Sequence, residues 1–200
     1  MIDLLEIGDF LDAAECAALR EELRRADGAA AALLGRDGSA GAVRTEVRRT
    51  TRIAVAPQTR ERIVRLLMAR KEALERRFGL PLGECEEPQF LRYGQGDYFV
   101  AHQDGNTPLV FDNSRFRKIS AVVFLSPRSE EPAPEAYGGG SLVLHGPYTG
   151  PPLRVPLAGA PGTLAAFRAE TTHEVTPVTH GERFTIAAWF HEPRGAGAAG

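Results

Sequence analysis

A chain of 200 residues in which 24 Lys+Arg stand against 26 Asp+Glu carries a net charge of −2. That balance excludes the electrostatic grip on which nucleic-acid binders depend. A hydrophobic fraction of 43% with 25% charged residues is that of a water-soluble globular chain with enough apolar material for a real core. In chain order, the opening "MIDLLEIGDF" has Asp3, Glu6 and Asp9 and no basic head, so it does not read as a signal peptide. No apolar run approaches the roughly 20 residues of a membrane span. From Asp12 to about Leu34 the pattern is helical: Leu19, Leu23, Ala26, Ala30 and Leu33 recur at spacings of three and four, "DAAE" resembles a capping box, and Gly35 is a plausible stop. A β-leaning stretch follows, "AVRTEVRRTTRIAVA". Pro57 then opens a second helix with Ile63, Leu66, Leu67, Leu74 and Phe78 on one face, closed by Gly79 and Pro81. Basic residues cluster in "RTEVRRTTR" and in "RKEALERR"; the second, interleaved with glutamates, reads as a solvated helix face. Cys16 and Cys85 stand apart without zinc spacing, which fits reduced structural thiols in a reducing, cytoplasmic compartment.

Beyond residue 84 the grammar changes to short strands: "PQFLRYG", "DYFVAHQD", "KISAVVFLS", "GSLVLHG", "PLRVPLA", "GTLAAFRA", "HEVTPVT" and "ERFTIAAWFHE". Gly, Pro and Asn punctuate them at short intervals, which argues for a sandwich or barrel. Two longer connections, "GNTPLVFDNSRFR" and "PRSEEPAPEAYGGG", have the length of lids or binding loops. The expected organisation is one domain: residues 1–83 as helical support with the first strands, 84–192 as the barrel core, and 193–200 as a flexible tail.

Chemistry enters at "YGQGDYFVAHQDG". On a strand, residues two apart point the same way, so His102 and Asp104 offer one nitrogen and one oxygen to the same side. Five histidines are present, and His173 lies in a strand–turn–strand unit that can fold back beside this one. Two histidines and a carboxylate on one face, with positions left open, form the facial triad of non-haem Fe(II) oxygenases. His173 can equally be a hydrogen-bonded histidine at a strand start. Arg183 separates the two readings. In "RFTIAAWF" it is in phase with Thr185, Ala187 and Trp189, while Phe184, Ile186, Ala188 and Phe190 face the other way; both faces are apolar enough to be buried. A buried guanidinium needs a carboxylate, either from the protein or from a dicarboxylic cosubstrate.

The blocks "YGQGDYFVAHQD", "RKISAVVFLS", "YGGGSLVL" and "PGTLAAFRAETTHEVTPVTHGERFTIAAWF", in that order, resemble the Fe(II)- and 2-oxoglutarate-dependent dioxygenases of the prolyl-4-hydroxylase-like branch. The resemblance implies a mainly β fold with flanking N-terminal helices, a double-stranded β-helix or jelly-roll barrel with the iron near its open mouth. It implies His102, Asp104 and His173 as the metal ligands, and Arg183 as the group holding the C5 carboxylate of 2-oxoglutarate. Tyr93 and Thr185 correspond to further donors to that carboxylate, and Leu142 to an apolar contact with the cosubstrate. Trp189 corresponds to an aromatic close to the substrate side of the iron in that family. The implied reaction consumes 2-oxoglutarate and O2, releases succinate and hydroxylates a C–H bond, with ascorbate as an accessory reductant; an intact Asp104 argues against chlorination.

Where some relatives have a tyrosine this chain has Phe124, where many have lysine it has Arg183, and "QDGNTPLVFDNSRFR" differs from collagen-type enzymes. The substrate implied is a small molecule, such as an amino acid or natural-product intermediate, or a peptidyl residue, with no nucleic acid or membrane as partner. Arg115, in the lid-like segment, is a further candidate for meeting an anionic substrate. His145, His180 and His191 read as strand-end and turn residues. The alternatives are a non-catalytic sensor on the same barrel, which would be expected to have lost a ligand or the carboxylate anchor, and a cupin-like metal protein, which would leave Arg183 and Tyr93 without a ligand to explain them.

Overall fold

The computed structural model describes residues 2–31, 46–105, 113–147, 151–157 and 159–193. It opens on a strand that the sequence pattern does not single out, β1 (Leu4–Ile7). Helix α1 (Ala13–Arg25) starts as its capping box requires. The Asp12 carboxylate accepts the Glu15 amide at 2.7 Å, and the Glu15 side chain accepts the Asp12 amide at 2.8 Å. It stops at Arg25 rather than continuing toward Leu34. The next elements are strands β2 (Gly28–Ala30), β3 (Arg48–Arg49) and β4 (Thr51–Ile53), and β2 pairs with β4. Sheet pairing therefore wins over the helical spacing of Ala26 and Ala30, helped by Gly28, a poor helix former. Leu33 and Gly35 lie outside the described residues.

Pro57 occupies the first turn of α2 (Pro57–Met68), as expected, but the second helix is two: α3 (Lys71–Phe78) follows a break at which the Arg70 amide turns back to the Leu67 carbonyl at 2.9 Å. Neither glycine nor proline marks that break. Ile63, Leu67, Leu74 and Phe78 are buried on both sides of it. Gly79 ends α3 in the left-handed region at φ +66°, which only glycine adopts without strain.

The remaining strands are β5 (Gln89–Tyr93), β6 (Tyr98–His102), β7 (Arg117–Phe124), β8 (Gly138–Gly139), β9 (Leu142–His145), β10 (Arg154–Leu157), β11 (Leu164–Arg168), β12 (His173–Val175), β13 (Val178–His180) and β14 (Arg183–His191). A short 3-10 turn, Asn113–Phe116, leads into β7. The expected strand "HEVTPVT" is split in two around Pro177, which has no N–H for a ladder. All strand pairs are antiparallel and form a seven-stranded sheet, β1-β11-β7-β14-β5-β4-β2, a five-stranded sheet, β10-β9-β12-β6-β3, and the small pair β13-β8. The two larger sheets make the jelly roll.

Strand alternation sorts β14 and β7 into two layers. Phe184, Ile186, Ala188 and Phe190, with Ile119, Ala121 and Val123, pack on the helices through Leu19, Leu23, Ile63, Leu67 and Leu74. The opposite face, with Phe124 and Phe167, packs with Tyr93, Leu142, Leu144 and Val175 in a second cluster between the sheets. β14 lies between β7 and β5, so both its edges are paired, while its two faces lie against the two clusters. The glycines after Tyr137 allow close approach: a Cβ on Gly139 would sit 2.3 Å from the Pro177 carbonyl, and one on Gly140 would sit 3.0 Å from Cδ of Arg183.

Candidate active site

His102 ends β6 opposite His173 of β12, but strict alternation would not turn it inward. The register advances two residues on β12, His173 to Val175, for three on β6, His102 to Phe99. This bulge puts Phe99 and His102 on the same face, and their rings stack at 3.5 Å. Asp104 lies beyond the strand rather than on it. Its amide donates to the Ala169 carbonyl at 2.9 Å, while the intervening Gln103 side chain donates to the Glu170 carbonyl at 2.7 Å.

The three side chains meet. His102 Nε2 is 3.4 Å from Asp104 Oδ1, and His173 Nε2 is 3.4 Å from Oδ2. Two donors about 2.1 Å from a shared ion at right angles would lie about 3 Å apart, so the set needs little adjustment to take one. The ring orientation fits as well. Nδ1 of His102 lies 2.8 Å from the Val100 carbonyl, and Nδ1 of His173 lies 2.9 Å from the Thr171 carbonyl. A nitrogen facing a carbonyl must carry the proton, which leaves each Nε2 lone pair directed at the carboxylate. Burial pushes the His173 imidazole down to about 4, so it is neutral at physiological pH. Burial alone would raise Asp104, but His173, His102 and the Ser120 hydroxyl more than offset it and hold the carboxyl well below its usual range. A neutral His173 imidazole and an ionised Asp104 carboxylate are in the protonation states that a divalent cation requires. Among the described residues this is the one group of three such side chains close enough to share an ion.

Around these three stand residues that the sequence reading missed. Ser120 Oγ donates to Asp104 Oδ2 at 2.6 Å. Arg117 donates to the Asp104 carbonyl at 3.2 Å, lies 3.9 Å over the Trp189 ring and grips Glu86 with two hydrogen bonds of 2.7 Å. His191 closes the cluster, its Nε2 2.5 Å from Glu86 Oε1. The inward row Ser120–Val122–Phe124 could have pointed to Ser120, since it is the polar member of an apolar row. Nothing local joins Glu86 to Arg117 across 31 residues.

Two predictions arise from these neighbours. Ser120→Ala should weaken Fe(II) binding by about 10- to 100-fold, the usual cost of losing an outer partner of a ligand, as read by anaerobic metal titration. Burial pushes the Glu86 carboxyl up, but the hydrogen bonds and charges of Arg117 and His191 outweigh that and leave it below its usual range. A carboxylate depressed on folding adds stability above its unfolded value, and that stability fades as pH falls through the folded one. Urea unfolding should therefore show Glu86→Gln destabilised by about 2 kcal/mol at pH 7, with the gap to wild type closing as pH falls below the ordinary glutamate range.

Arg183 opens β14 and is 1% exposed. Its guanidinium lies 5.0 Å over the Tyr93 ring and 5.8 Å from that of Phe124, and Nη1 donates to Thr185 Oγ1 at 3.4 Å. Among the described residues it has no carboxylate partner, and its Nε is buried without an acceptor. A cation held this way is costly unless an anion joins it. Leu142 is buried between the sheets with Tyr93 and Phe124, and Leu144 of the same strand is the register partner of His173. Trp189 pairs in register with Ser120. Arg115 alone stands apart from these groups; it is exposed and lies 4.5 Å over the Phe116 ring. Most of its expected lid, residues 106–112, lies outside the described residues. His145 ends β9 beside Glu174, as expected of a strand-end residue, whereas His180, expected in a turn, is the last residue of β13.

Comparison with known proteins points the same way. A PKHD-type hydroxylase of Paracoccus denitrificans is 38% identical over 104 residues, covering 51% of this chain and 41% of that protein. One from Shewanella sp. (strain MR-7) is 30% identical over 188 residues, covering 93% and 77%. Among solved structures, a Pseudomonas putida prolyl-4-hydroxylase superposes with a TM-score of 0.67 at 23% identity, over 96% of this chain and 94% of that one. HygX of Streptomyces hygroscopicus, solved with nickel, 2-oxoglutarate and hygromycin B bound, gives 0.66 at 17% identity, over 96% and 83%. These two are alike in fold. The family model of the 2OG-Fe(II) oxygenase superfamily matches residues 88–191, from β5 to the last residue of β14. The chain belongs to that superfamily and is an Fe(II)- and 2-oxoglutarate-dependent dioxygenase.

Proposed function

We propose that the chain is a single oxygenase domain that hydroxylates a C–H bond of a small molecule or peptidyl residue, with His102, Asp104 and His173 holding the iron and Arg183 the cosubstrate. The observation that carries this is the pairing of two incomplete sites on the inner faces of one barrel. One is a preformed N,N,O donor set, and the other is a buried guanidinium with no carboxylate partner among the described residues. When bound, Fe(II) with 2-oxoglutarate supplies the oxidation: one atom of O2 enters succinate as CO2 leaves, and the other enters the substrate C–H bond.

The protein's own share is positioning and exclusion of water. The backbone carbonyls of Val100 and Thr171 fix the two imidazoles, and Ser120 fixes the carboxylate. Arg183, steadied by Thr185 and by the faces of Tyr93 and Phe124, offers its donors to the C5 carboxylate of 2-oxoglutarate. Leu142 walls the cosubstrate and Trp189 faces the substrate; Arg115, exposed and apart from these groups, is the weaker candidate for meeting an anionic substrate. Ascorbate serves as an accessory reductant for iron, and the cytoplasm is the working compartment. No helix among the described residues is long and apolar enough to cross a membrane.

Relatives leave both substrate classes open. A Trichoplax adhaerens prolyl hydroxylase, solved with a hypoxia-inducible-factor peptide, superposes with a TM-score of 0.70 at 16% identity, while HygX was solved with hygromycin B. The test is incubation with Fe(II), ascorbate, 2-oxoglutarate and 18O2, with mass spectrometry of succinate and candidate substrates. One labelled oxygen in each supports the reading. Succinate formation that survives in Asp104→Ala and Arg183→Met overturns it.

A further inference from the structure

A second arginine on the barrel's inner side is buried without a counter-charge. Arg48 of β3 is 8% exposed, and its Nε is buried with no acceptor. Among the described residues it has no hydrogen-bond or ion-pair partner. Its neighbour Arg49 turns outward and takes Asp97, the residue just before β6, at 3.3 Å. β3 pairs with β6, and the register places Arg48 opposite Phe99. The Arg48 guanidinium lies 4.8 Å over the Phe99 ring, whose centroid is 3.5 Å from that of His102. Guanidinium, phenyl and metal-ligating imidazole thus form one connected group on the face that the β6 bulge turns inward.

Aromatic contact recovers only part of what a guanidinium loses on leaving water, so the remainder calls for an anion. That anion is not the distal carboxylate of the cosubstrate. Arg183 already waits for it on the other sheet, against Tyr93 and Phe124. A single planar fork against an aromatic wall suits a carboxylate, whereas a phosphate dianion ordinarily recruits several cationic donors.

We propose that Arg48 anchors a carboxylate of the substrate beside His102, so that the C–H bond to be oxidised lies close to an acidic group. This rests on the oxygenase reading of the site. The carboxylate belongs either to a small acid or to an Asp or Glu side chain of a peptide, and the test separates the two sources.

The protein is loaded anaerobically with Fe(II) and saturating 2-oxoglutarate, and binding is followed by the fluorescence of Trp189, the single tryptophan. The probes are N-acetylglycine against N-acetylglycinamide, and capped Ala-Asp-Ala against capped Ala-Asn-Ala. Wild type should prefer the acid in at least one pair by about tenfold or more, the scale of a charged hydrogen bond. Preference in the first pair points to a small acid, and in the second to an acidic peptide. Arg48→Met should abolish the preference and Arg48→Lys should keep part of it. Arg48→Met should not unfold at much lower temperature than wild type, because a buried guanidinium without a counter-charge adds little net stability over an apolar side chain of similar bulk. Acid and amide binding alike in wild type, a preference that survives in Arg48→Met, or an Arg48→Met that unfolds well below wild type would each overturn the proposal. The 2-oxoglutarate affinity of the same samples reports on Arg183. If it is intact while the acid–amide comparison fails, only the role of Arg48 falls; if it is absent from wild type, the oxygenase reading falls with it.

Discussion

Replacing Asp104 with alanine is expected to weaken Fe(II) binding by more than about 100-fold, beyond the range usual for an outer partner such as Ser120, and to reduce coupled turnover to background. The carboxylate is the one charged member of the donor set, and it is already ionised and oriented by Ser120 in the folded protein. Its loss removes both the charge that balances the cation and the oxygen between the two imidazoles. Anaerobic calorimetry with Fe(II) checks it, with far-ultraviolet circular dichroism to confirm the fold. Iron affinity within tenfold of wild type would mean that the ion, if it binds, is held elsewhere.

Arg183→Met is expected to have the second large effect, and of an unusual kind. Losing one member of a buried, hydrogen-bonded charge pair costs about 2–5 kcal/mol, so the 2-oxoglutarate KM should rise by roughly 30- to several thousand-fold. Without cosubstrate the variant should be as stable as wild type or more so, because the guanidinium has no carboxylate among the described residues and methionine is close to it in bulk. With 2-oxoglutarate at 100 times its Kd, wild type gains about 2.7 kcal/mol, worth roughly 5–10 °C in a chain of this length. The variant should gain less than about 1 kcal/mol at the same concentration. Thermal melts with and without 2-oxoglutarate check both halves. A variant that melts far below wild type without cosubstrate would mark Arg183 as a structural residue.

The residues that carry these effects were readable because strand alternation and chain order constrain them. "HQD" sets two donors two residues apart, although alternation alone does not turn His102 inward, and "RFTIAAWF" shows Arg183 on a strand with no polar face to expose it. The order of the four blocks then set His173 against His102. What stayed hidden depends on contacts between distant segments. The β6 bulge that turns His102 inward leaves no glycine or proline as its mark, and neither does the break between α2 and α3. The helix expected to reach Leu34 yields to a ladder with Thr51–Ile53, twenty residues farther on. Glu86, Arg117 and His191 come from three separate segments, and each alone resembles an ordinary surface residue. In "RRTTR" composition cannot say which arginine turns inward; only the pairing of β3 with β6 makes it Arg48.

The most direct single test is an anaerobic titration of the Fe(II)-loaded protein with 2-oxoglutarate, read by the visible metal-to-ligand charge-transfer band. The band should appear at one equivalent in wild type, be missing in His102→Ala, and in Arg183→Met require roughly 30-fold or more additional 2-oxoglutarate. A wild-type protein that binds iron but develops no band would contradict the joint assignment of the triad and Arg183, and would favour a metal site that works without 2-oxoglutarate.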